Sequence, residues 1–255
     1  MIRDAINNFF IRLWLKFQDL TYTGQGMDMK DGEALISKDV SVYTHFKPGM
    51  SWGYVHPGYE YNALGIYNRG IYEILGQLRL VNESFNETIV HQGIEYTPSI
   101  VSGCVHSKRL YKYGQFEIDC EVPENGKTWP AFWFYGTTWP PELDIFEFMP
   151  DTDKRGKKTL NAGIYYANPR KDSGYHKRMG TNTHGPVKIG VDWTPNYIRW
   201  YYNGFLFKEI TSPKIMKYFR EPMYLVVSMG VGRNYDEKVF EEILLVESVM
   251  YKPYK

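Results

Sequence analysis

Between residues 71 and 251 the chain is divided into short segments that are apolar or that alternate between apolar and polar residues. Such segments, separated by turn-forming residues, are typical of β-strands. Asn203-Gly204 lies between two aromatic-rich segments and predicts a tight hairpin. Many short strands with turns of this kind predict an all-β sandwich or barrel. The predicted strands are Ile71 to Val81, Ile100 to Lys108, Gly114 to Val122, Ala131 to Tyr135, Glu142 to Phe148, Leu160 to Ala167, Val187 to Trp193, Ile198 to Tyr202, Phe205 to Ile210, Met223 to Met229 and Ile243 to Tyr251.

The composition excludes several classes of protein. Lys and Arg total 30 and Asp and Glu total 29, so no net positive field would attract nucleic acid. With only Cys104 and Cys120, the chain cannot form a disulfide framework or a four-cysteine zinc site. The two cysteines are either a single cross-strand disulfide or two buried thiols. The aromatic content of 17% favours strands and flat binding surfaces, on which sugar rings also stack.

No linker or low-complexity tract divides the chain, so residues 1–255 are expected to form a single domain. Residues 1–70 are a less typical N-terminal segment. Within it, Ile6, Phe9, Leu13 and Phe17 recur at steps of three or four and predict a short amphipathic helix. Charged residues interrupt this segment, and we therefore see no signal peptide and expect no membrane span.

Three carboxylates fall within six residues, Glu142, Asp144 and Glu147, in an otherwise apolar and aromatic stretch. Because an unpaired buried charge is costly, acids in such a stretch usually face solvent or work in a cleft. Residues two apart on a strand share a face, which places Glu142 and Asp144 together and turns Glu147 away. One β-bulge between Asp144 and Glu147 would return Glu147 to the shared face. The alternative is a solvent-facing acidic edge strand.

Three acids on one surface suit retaining glycoside hydrolysis. In that reaction one carboxylate attacks the anomeric carbon, while a second, about 5–5.5 Å away, protonates the leaving oxygen and later deprotonates a water. Glu142 and Glu147 are the candidates for these two roles. Asp144 would hydrogen-bond the nucleophile and set its pKa and rotamer.

The segment Trp129 to Trp133 (WPAFW), followed by Pro141 to Glu147 (PELDIFE), resembles the signature of glycoside hydrolase family 16. The similarity extends to both sides of this signature and covers residues 71 to 251. The other segments that resemble the family, in its order, are Ser102-Gly103, Ser107-Lys108, Tyr113 to Glu117 (YGQFE), Asp192 to Tyr201 (DWTPNYIRWY), Asn203-Gly204 and Val246 to Tyr251 (VESVMY).

This resemblance implies a concanavalin-like β-jelly roll, a sandwich of two curved antiparallel sheets with a concave substrate cleft. It implies that Glu142 is the nucleophile, Asp144 its electrostatic helper and Glu147 the acid/base. The extra residue before Glu147 resembles the bulged branch of the family, which includes laminarinases, agarases, porphyranases and κ-carrageenases. The expected enzyme is therefore an endo-acting retaining glycosidase that cleaves a β-1,3/1,4-glucan or a galactan by double displacement.

Several aromatic residues are candidates for substrate binding. By resemblance, Trp133 forms a floor for the sugar next to the cleaved bond, and Trp193 lies in the cleft near the acid/base. Trp129 shares the strand face of Trp133, although any of these tryptophans could be simply a core residue. Tyr165 stands where many relatives in the bulged branch carry a histidine close to the acid/base. Trp52 would cap a distal subsite.

Two other segments bear on the substrate. Ser228 opens a segment (SMGVG) where an Asn-led segment is usual in the family. The stretch 168–178 is basic, with Arg170, Lys171, His176, Lys177 and Arg178. It is either a solvated loop or a site that holds sulfate or carboxylate groups of the substrate.

No cofactor is required for this chemistry and no catalytic metal site is predicted, although a structural calcium is common on the outer face of such folds. We expect a monomer that acts on a polysaccharide or oligosaccharide and is extracellular or periplasmic. Two rival hypotheses are a non-catalytic carbohydrate-binding protein on the same fold and a transglycosylase, which passes the covalent intermediate to a sugar.

Overall fold

The computed structural model describes residues 27–49, 63–64, 69–91, 94–123, 127–149, 159–167, 169, 171–172, 176–177, 185–231 and 237–254. The described part of the chain is mostly β-structure. Its strands, in chain order, are β1 (Glu33–Ile36), β2 (Phe46–Pro48), β3 (Ala63–Leu64), β4 (Ile71–Ile74), β5 (Gln77–Ser84), β6 (Ile89–His91), β7 (Ile94–Tyr96), β8 (Ile100–Ser102), β9 (Cys104–Ser107), β10 (Gly114–Val122), β11 (Ala131–Gly136), β12 (Glu142–Met149), β13 (Thr159–Tyr166), β14 (Lys171–Asp172), β15 (His176–Lys177), β16 (Gly185–Trp193), β17 (Ile198–Tyr202), β18 (Phe205–Ile210), β19 (Met223–Ser228) and β20 (Ile243–Lys252). The helices are α1 (Val42–His45), α2 (Pro213–Met216) and a 3₁₀ turn at Glu237–Phe240.

Most of the strands form two large sheets that pack face to face, and β6 and β7 form a separate two-stranded sheet. The first sheet has the order β18-β17-β16-β10-β20-β5-β8-β3, with β1 beside β20 and β4 beside β5. The second has the order β14-β13-β12-β11-β19-β9-β2, with β15 beside β13. Among the described strands the pairings are antiparallel, apart from the short parallel pair β3 and β8. The predicted two-sheet jelly roll is confirmed.

The core lies between the two sheets because the strands alternate. On β10 the side chains of Phe116 and Ile118 are fully buried, and on the second sheet Phe134, Phe148 and Ile164 belong to the same apolar cluster. Burying one such side chain contributes about 1.5–3 kcal/mol. The faces turned away from this core remain for other uses, and one of them carries the acids.

The hairpin predicted at Asn203-Gly204 joins β17 to β18. Asn203 has φ of 48° and Gly204 has φ of 82°. Two consecutive positive φ values match the twist of the flanking strands, which explains why this residue pair is favoured here.

Two segments predicted as single strands are each two strands, so those predictions are wrong. Leu75 (φ 53°) and Gly76 (φ 78°) turn the chain between β4 and β5. The break between β8 and β9 is at Gly103, where the chain leaves the first sheet for the second. A Cβ at Gly103 would lie 2.0 Å from the Gly70 carbonyl oxygen, so only glycine fits at this crossing.

The crossing at Gly103 also separates the two cysteines. Cys104 lies on β9 of the second sheet, against Tyr135 and Val226, whereas Cys120 lies on β10 in the core between the sheets. Both are free buried thiols, so the disulfide alternative is wrong. Burial raises the pKa of Cys104 to about 12, which keeps its thiol protonated.

The amphipathic helix predicted within residues 1–26 lies outside the described residues. In the part of the chain that the structure describes, no helix has the length and apolar character to cross a membrane.

Candidate active site

The three acids lie on β12, which pairs with β11 on one side and β13 on the other. On β13, Tyr165 is opposite Glu142, Gly163 is opposite Asp144 and Asn161 is opposite Glu147. The register shifts between Asp144 and Glu147, so the predicted bulge is present.

At the bulge, Ile145 and Phe146 both point into the core and are fully buried. This repetition returns Glu147 to the face that carries Glu142 and Asp144. The alternative of an acidic edge strand is wrong because β12 lies inside the sheet and Asp144 is only 1% exposed.

Asp144 is the most deeply buried of the three acids. Burial raises its pKa well above the usual range, and the charges of Glu147 and Glu142 raise it further. It makes a side-chain hydrogen bond with Glu142. This hydrogen bond is a further cause of the raised pKa of Asp144.

Glu147 is held by two N–H donors. Trp129 Nε1 donates to Oε1 at 3.1 Å, and Asn161 Nδ2 donates to Oε2 at 2.7 Å. Burial raises the pKa of Glu147, while these two donors lower it because they stabilise the carboxylate. The net shift of the Glu147 pKa is upward, which favours its protonated form.

Glu142 lies at the start of β12 and is partly exposed. Trp139 Nε1 donates to its Oε2 at 2.5 Å, and the Trp139 ring lies 6.1 Å from that of Tyr165. The Trp139 side chain is 48% exposed. Sequence reasoning missed Trp139, although its position three residues before Glu142 was a usable signal.

The predicted aromatic residues have different environments. Trp133 is partly exposed, pairs with Asp144 across the sheet and donates through Nε1 to Ser228 Oγ at 3.1 Å. Trp133 therefore lies beside the acids, and its role as a floor for the sugar stays a prediction. Trp129, which could have been a simple core residue, contacts Glu147 directly.

The prediction for Trp193 is wrong. Its side chain is fully buried between the sheets, its Nε1 donates to the Phe219 carbonyl at 3.1 Å, and its ring packs on Phe134. Trp193 therefore stabilises the core and does not line the cleft. Trp52 lies outside the described residues.

Tyr165 lies on the second sheet, where it pairs with Glu142 and not with Glu147. The position opposite Glu147 belongs to Asn161, which is 3% exposed. Sequence reasoning missed Asn161 because a sequence does not show which residue of the neighbouring strand lies opposite a bulged position. The side chain of β13 that binds Glu147 is therefore an amide.

The basic stretch is described only in part. Strands β14 and β15 both pair with β13, with His176 opposite Asn161 and Lys171 opposite Tyr166 in the backbone register. Its backbone thus runs along the edge of the second sheet beside β13, and its role in binding anionic substrate groups stays a prediction.

No group of three or more His, Cys, Asp or Glu side chains within the described ranges could hold a metal ion.

Lys208 on β18 introduces a positive charge beneath the acids. Its Nζ donates to the Ala162 carbonyl at 2.6 Å and lies 4.7 Å from the centre of the Trp200 ring. Burial lowers the pKa of Lys208 to about 8, and the charge of Asp144 opposes that shift. Lys208 in turn lowers the pKa of Asp144.

The arrangement can be compared with known proteins. The chain is 30% identical over 142 residues to an endo-1,3-1,4-beta-glycanase of Rhizobium meliloti, covering 55% of this chain and 29% of that protein. It is 26% identical to a beta-glucanase of Rhodothermus marinus, covering 84% of this chain and 83% of that protein. The chain thus spans less than a third of the Rhizobium protein and most of the Rhodothermus protein.

Among solved structures, the laminarinase catalytic domain of Thermotoga maritima is similar, with a TM-score of 0.60 and 20% sequence identity over 82% of this chain and 91% of that one. This likeness supports the fold alone. The sequence profile of glycosyl hydrolases family 16 matches residues 78–240, which include the bulged strand with its three acids. Since this match extends over more than half of the chain, the protein belongs to glycosyl hydrolase family 16.

Proposed function

We propose that this protein is an endo-acting, retaining glycosidase that cleaves a β-glucan by double displacement. The observation that carries the proposal is the bulge on β12, which puts Glu142, Asp144 and Glu147 on one face. A pair of carboxylates there, one ionised and one protonated, is what this reaction requires.

In the first step, Glu142 attacks the anomeric carbon while Glu147 gives its proton to the leaving oxygen. Glu142 suits the nucleophile because its carboxylate accepts the N–H of Trp139 and makes a side-chain hydrogen bond with Asp144, and these two contacts orient it. The upward pKa shift of Glu147 favours its protonated form. The step forms a glycosyl ester on Glu142 and releases the leaving sugar.

In the second step, a water attacks the anomeric carbon. Glu147, now ionised, takes a proton from this water, and the ester bond to Glu142 breaks. The donors Trp129 and Asn161 stabilise the ionised form between the two steps. The sugar keeps its β-configuration and both carboxylates return to their starting states.

The substrate proposed is a β-1,3-glucan or a mixed β-1,3/1,4-glucan. The supporting observation is that the similar curated proteins are a beta-glucanase and endo-1,3-1,4-beta-glycanases. Trp133 beside Asp144 and the exposed Trp139 beside Glu142 offer aromatic faces to such a chain. A galactan remains the second substrate class to test.

The experiment is a reducing-end assay on laminarin, mixed-linkage glucan, agarose, porphyran and carrageenan, with NMR to follow the anomer that forms first. The wild type is expected to cleave a β-glucan and to release the β-anomer. Glu142→Ser should abolish cleavage while the protein stays folded and still binds oligosaccharide. Glu121→Ser, which changes an exposed glutamate on β10, serves as the matched control and should remain fully active.

Full activity in Glu142→Ser would refute the assignment of the nucleophile. Release of the α-anomer would refute retention. Products longer than the starting oligosaccharide would identify a transglycosylase, and binding without cleavage on every substrate would identify a carbohydrate-binding protein.

A further inference from the structure

The bulge leaves backbone groups on both strands outside the regular ladder. On β12 the chain carries Ile145 and Phe146 where β13 has only Ala162. Carbonyl groups at such a place need other partners, because a buried unpaired carbonyl is costly. The bulge is therefore stabilised by whatever donors bind the carbonyls of Asp144 and Ala162.

Both carbonyls are bound by side chains from the opposite sheet. Trp200 Nε1 donates to the Asp144 carbonyl at 2.8 Å, and Lys208 Nζ donates to the Ala162 carbonyl at 2.6 Å. Trp200 is fully buried in the core, so it reaches the bulge from the side opposite the three carboxylates.

The two donors form one unit. Trp200 on β17 and Lys208 on β18 are directly opposite each other across the hairpin. The Lys208 ammonium lies 4.7 Å from the centre of the Trp200 ring, within the range of a cation–π contact. Each side chain therefore restrains the other, and together they hold two neighbouring strands of the second sheet.

The residues that they hold are next to the acid/base machinery. Ala162 precedes Gly163, which faces Asp144, and follows Asn161, whose amide binds Glu147. A shift of Ala162 would move the Asn161 amide, and Glu147 would lose its orientation. Small errors of position in a proton donor are expensive, since a displacement of about 1 Å can cost about 100-fold in rate.

We propose that Trp200 and Lys208 are positioning residues for the acid/base, which hold the catalytic bulge from the opposite sheet and so fix Asn161 and Glu147. The inference rests on the proposed function of Glu147. Both donate to the backbone of β12 and β13, and the charge of Lys208 also lowers the pKa of Asp144.

The test separates proton donation from the rest of catalysis. Two substrates are compared: a β-glucan that the wild type cleaves, and the 2,4-dinitrophenyl β-glycoside of the corresponding disaccharide. The aryl leaving group departs without a proton, whereas the sugar leaving group needs Glu147. A defect confined to the acid therefore appears only with the glucan.

The variants are Lys208→Met, Lys208→Arg and Trp200→Phe. We expect Lys208→Met and Trp200→Phe to lower kcat/KM on the glucan about 10- to 100-fold, with little change on the aryl glycoside. Lys208→Arg should recover most of the activity, because a guanidinium also donates to a carbonyl and contacts an aromatic ring. The control is Lys188→Met, which removes a half-exposed lysine that pairs with Asp119 in the same sheet and should leave both rates unchanged.

Wild-type rates in Lys208→Met and Trp200→Phe would overturn the inference, and so would an equal loss on both substrates. Should Lys208→Met fail to fold, Trp200→Phe decides the question by the same comparison. A wild type that cleaves neither substrate would refute the proposed function, and the inference with it. A wild type that cleaves both, with unchanged variants, would refute the inference alone.

Discussion

Replacing Trp129 with Phe removes one of the two N–H groups that donate to the Glu147 carboxylate. An aromatic ring is kept, but the hydrogen bond of 3.1 Å from the indole Nε1 to Glu147 Oε1 is lost. Because this donor stabilises the carboxylate and not the protonated acid, its loss raises the pKa of Glu147. The pH at which the enzyme loses its general acid should therefore rise.

The size of the shift follows from the strength of the contact. A hydrogen bond to a charged group contributes about 1.5–3 kcal/mol. Glu147 is only partly buried, so water can replace part of the lost donor, and a net loss of about 1.4 kcal/mol corresponds to about one pKa unit. The second donor, from Asn161 at 2.7 Å, remains and keeps the side chain in place.

The assay is the pH dependence of kcat/KM, whose alkaline limb reports ionisation of the acid in the free enzyme. Trp129→Phe should move that limb upward by about one pH unit. The matched control is Trp133→Phe, since the Trp133 N–H donates to the Ser228 hydroxyl. This control should raise KM and leave the limb in place. An alkaline limb that stays fixed or moves downward in Trp129→Phe would refute the reasoning.

Three further predictions concern the fold. The native pKa of Asp144 is raised, so the folded state keeps a proton that the unfolded chain releases above about pH 3.9. The unfolding free energy of the wild type should therefore fall as pH rises towards the native pKa, whereas that of Asp144→Asn should lack this loss; urea titrations giving parallel pH curves would contradict this. Cys104 and Cys120 should give two equivalents of free thiol after denaturation without reductant and almost none before, and a thiol count of zero would show a disulfide. Gly103→Ala should lower the unfolding free energy by about 1–3 kcal/mol or more, because the new methyl group meets the Gly70 carbonyl, and an unchanged midpoint would show that the crossing can relax.

The sequence predicts most of the strand pattern, because alternation and turn residues are local signals. Asn203-Gly204 identifies its hairpin since both positions need positive φ. The same logic misses the turn at Leu75, because leucine is rarely found in that conformation. It also misses the crossing at Gly103, where the need for glycine comes from Gly70, a residue far away in the chain.

The site shows a similar division. The spacing of the acids indicates the bulge, since an odd offset between Asp144 and Glu147 is compatible with a shared face only if one residue is extra. The spacing alone left an acidic edge strand as the alternative. The role of Asn161 depends on which residue of β13 lies opposite Glu147, and a register across a bulge is not a local property. The cleft position predicted for Trp193 rested on the family resemblance, and the structure instead buries this side chain between the sheets.

The bond from Trp200 to Asp144 joins residues 56 positions apart in the chain. A chain under synthesis therefore exposes its three acids well before the hairpin that supports them has been made. A fragment that ends before residue 198 would keep the whole carboxylate motif without the residues that hold its backbone. Grafting the motif into another sandwich would face the same gap, and the hairpin must be transferred along with the strand for the graft to work.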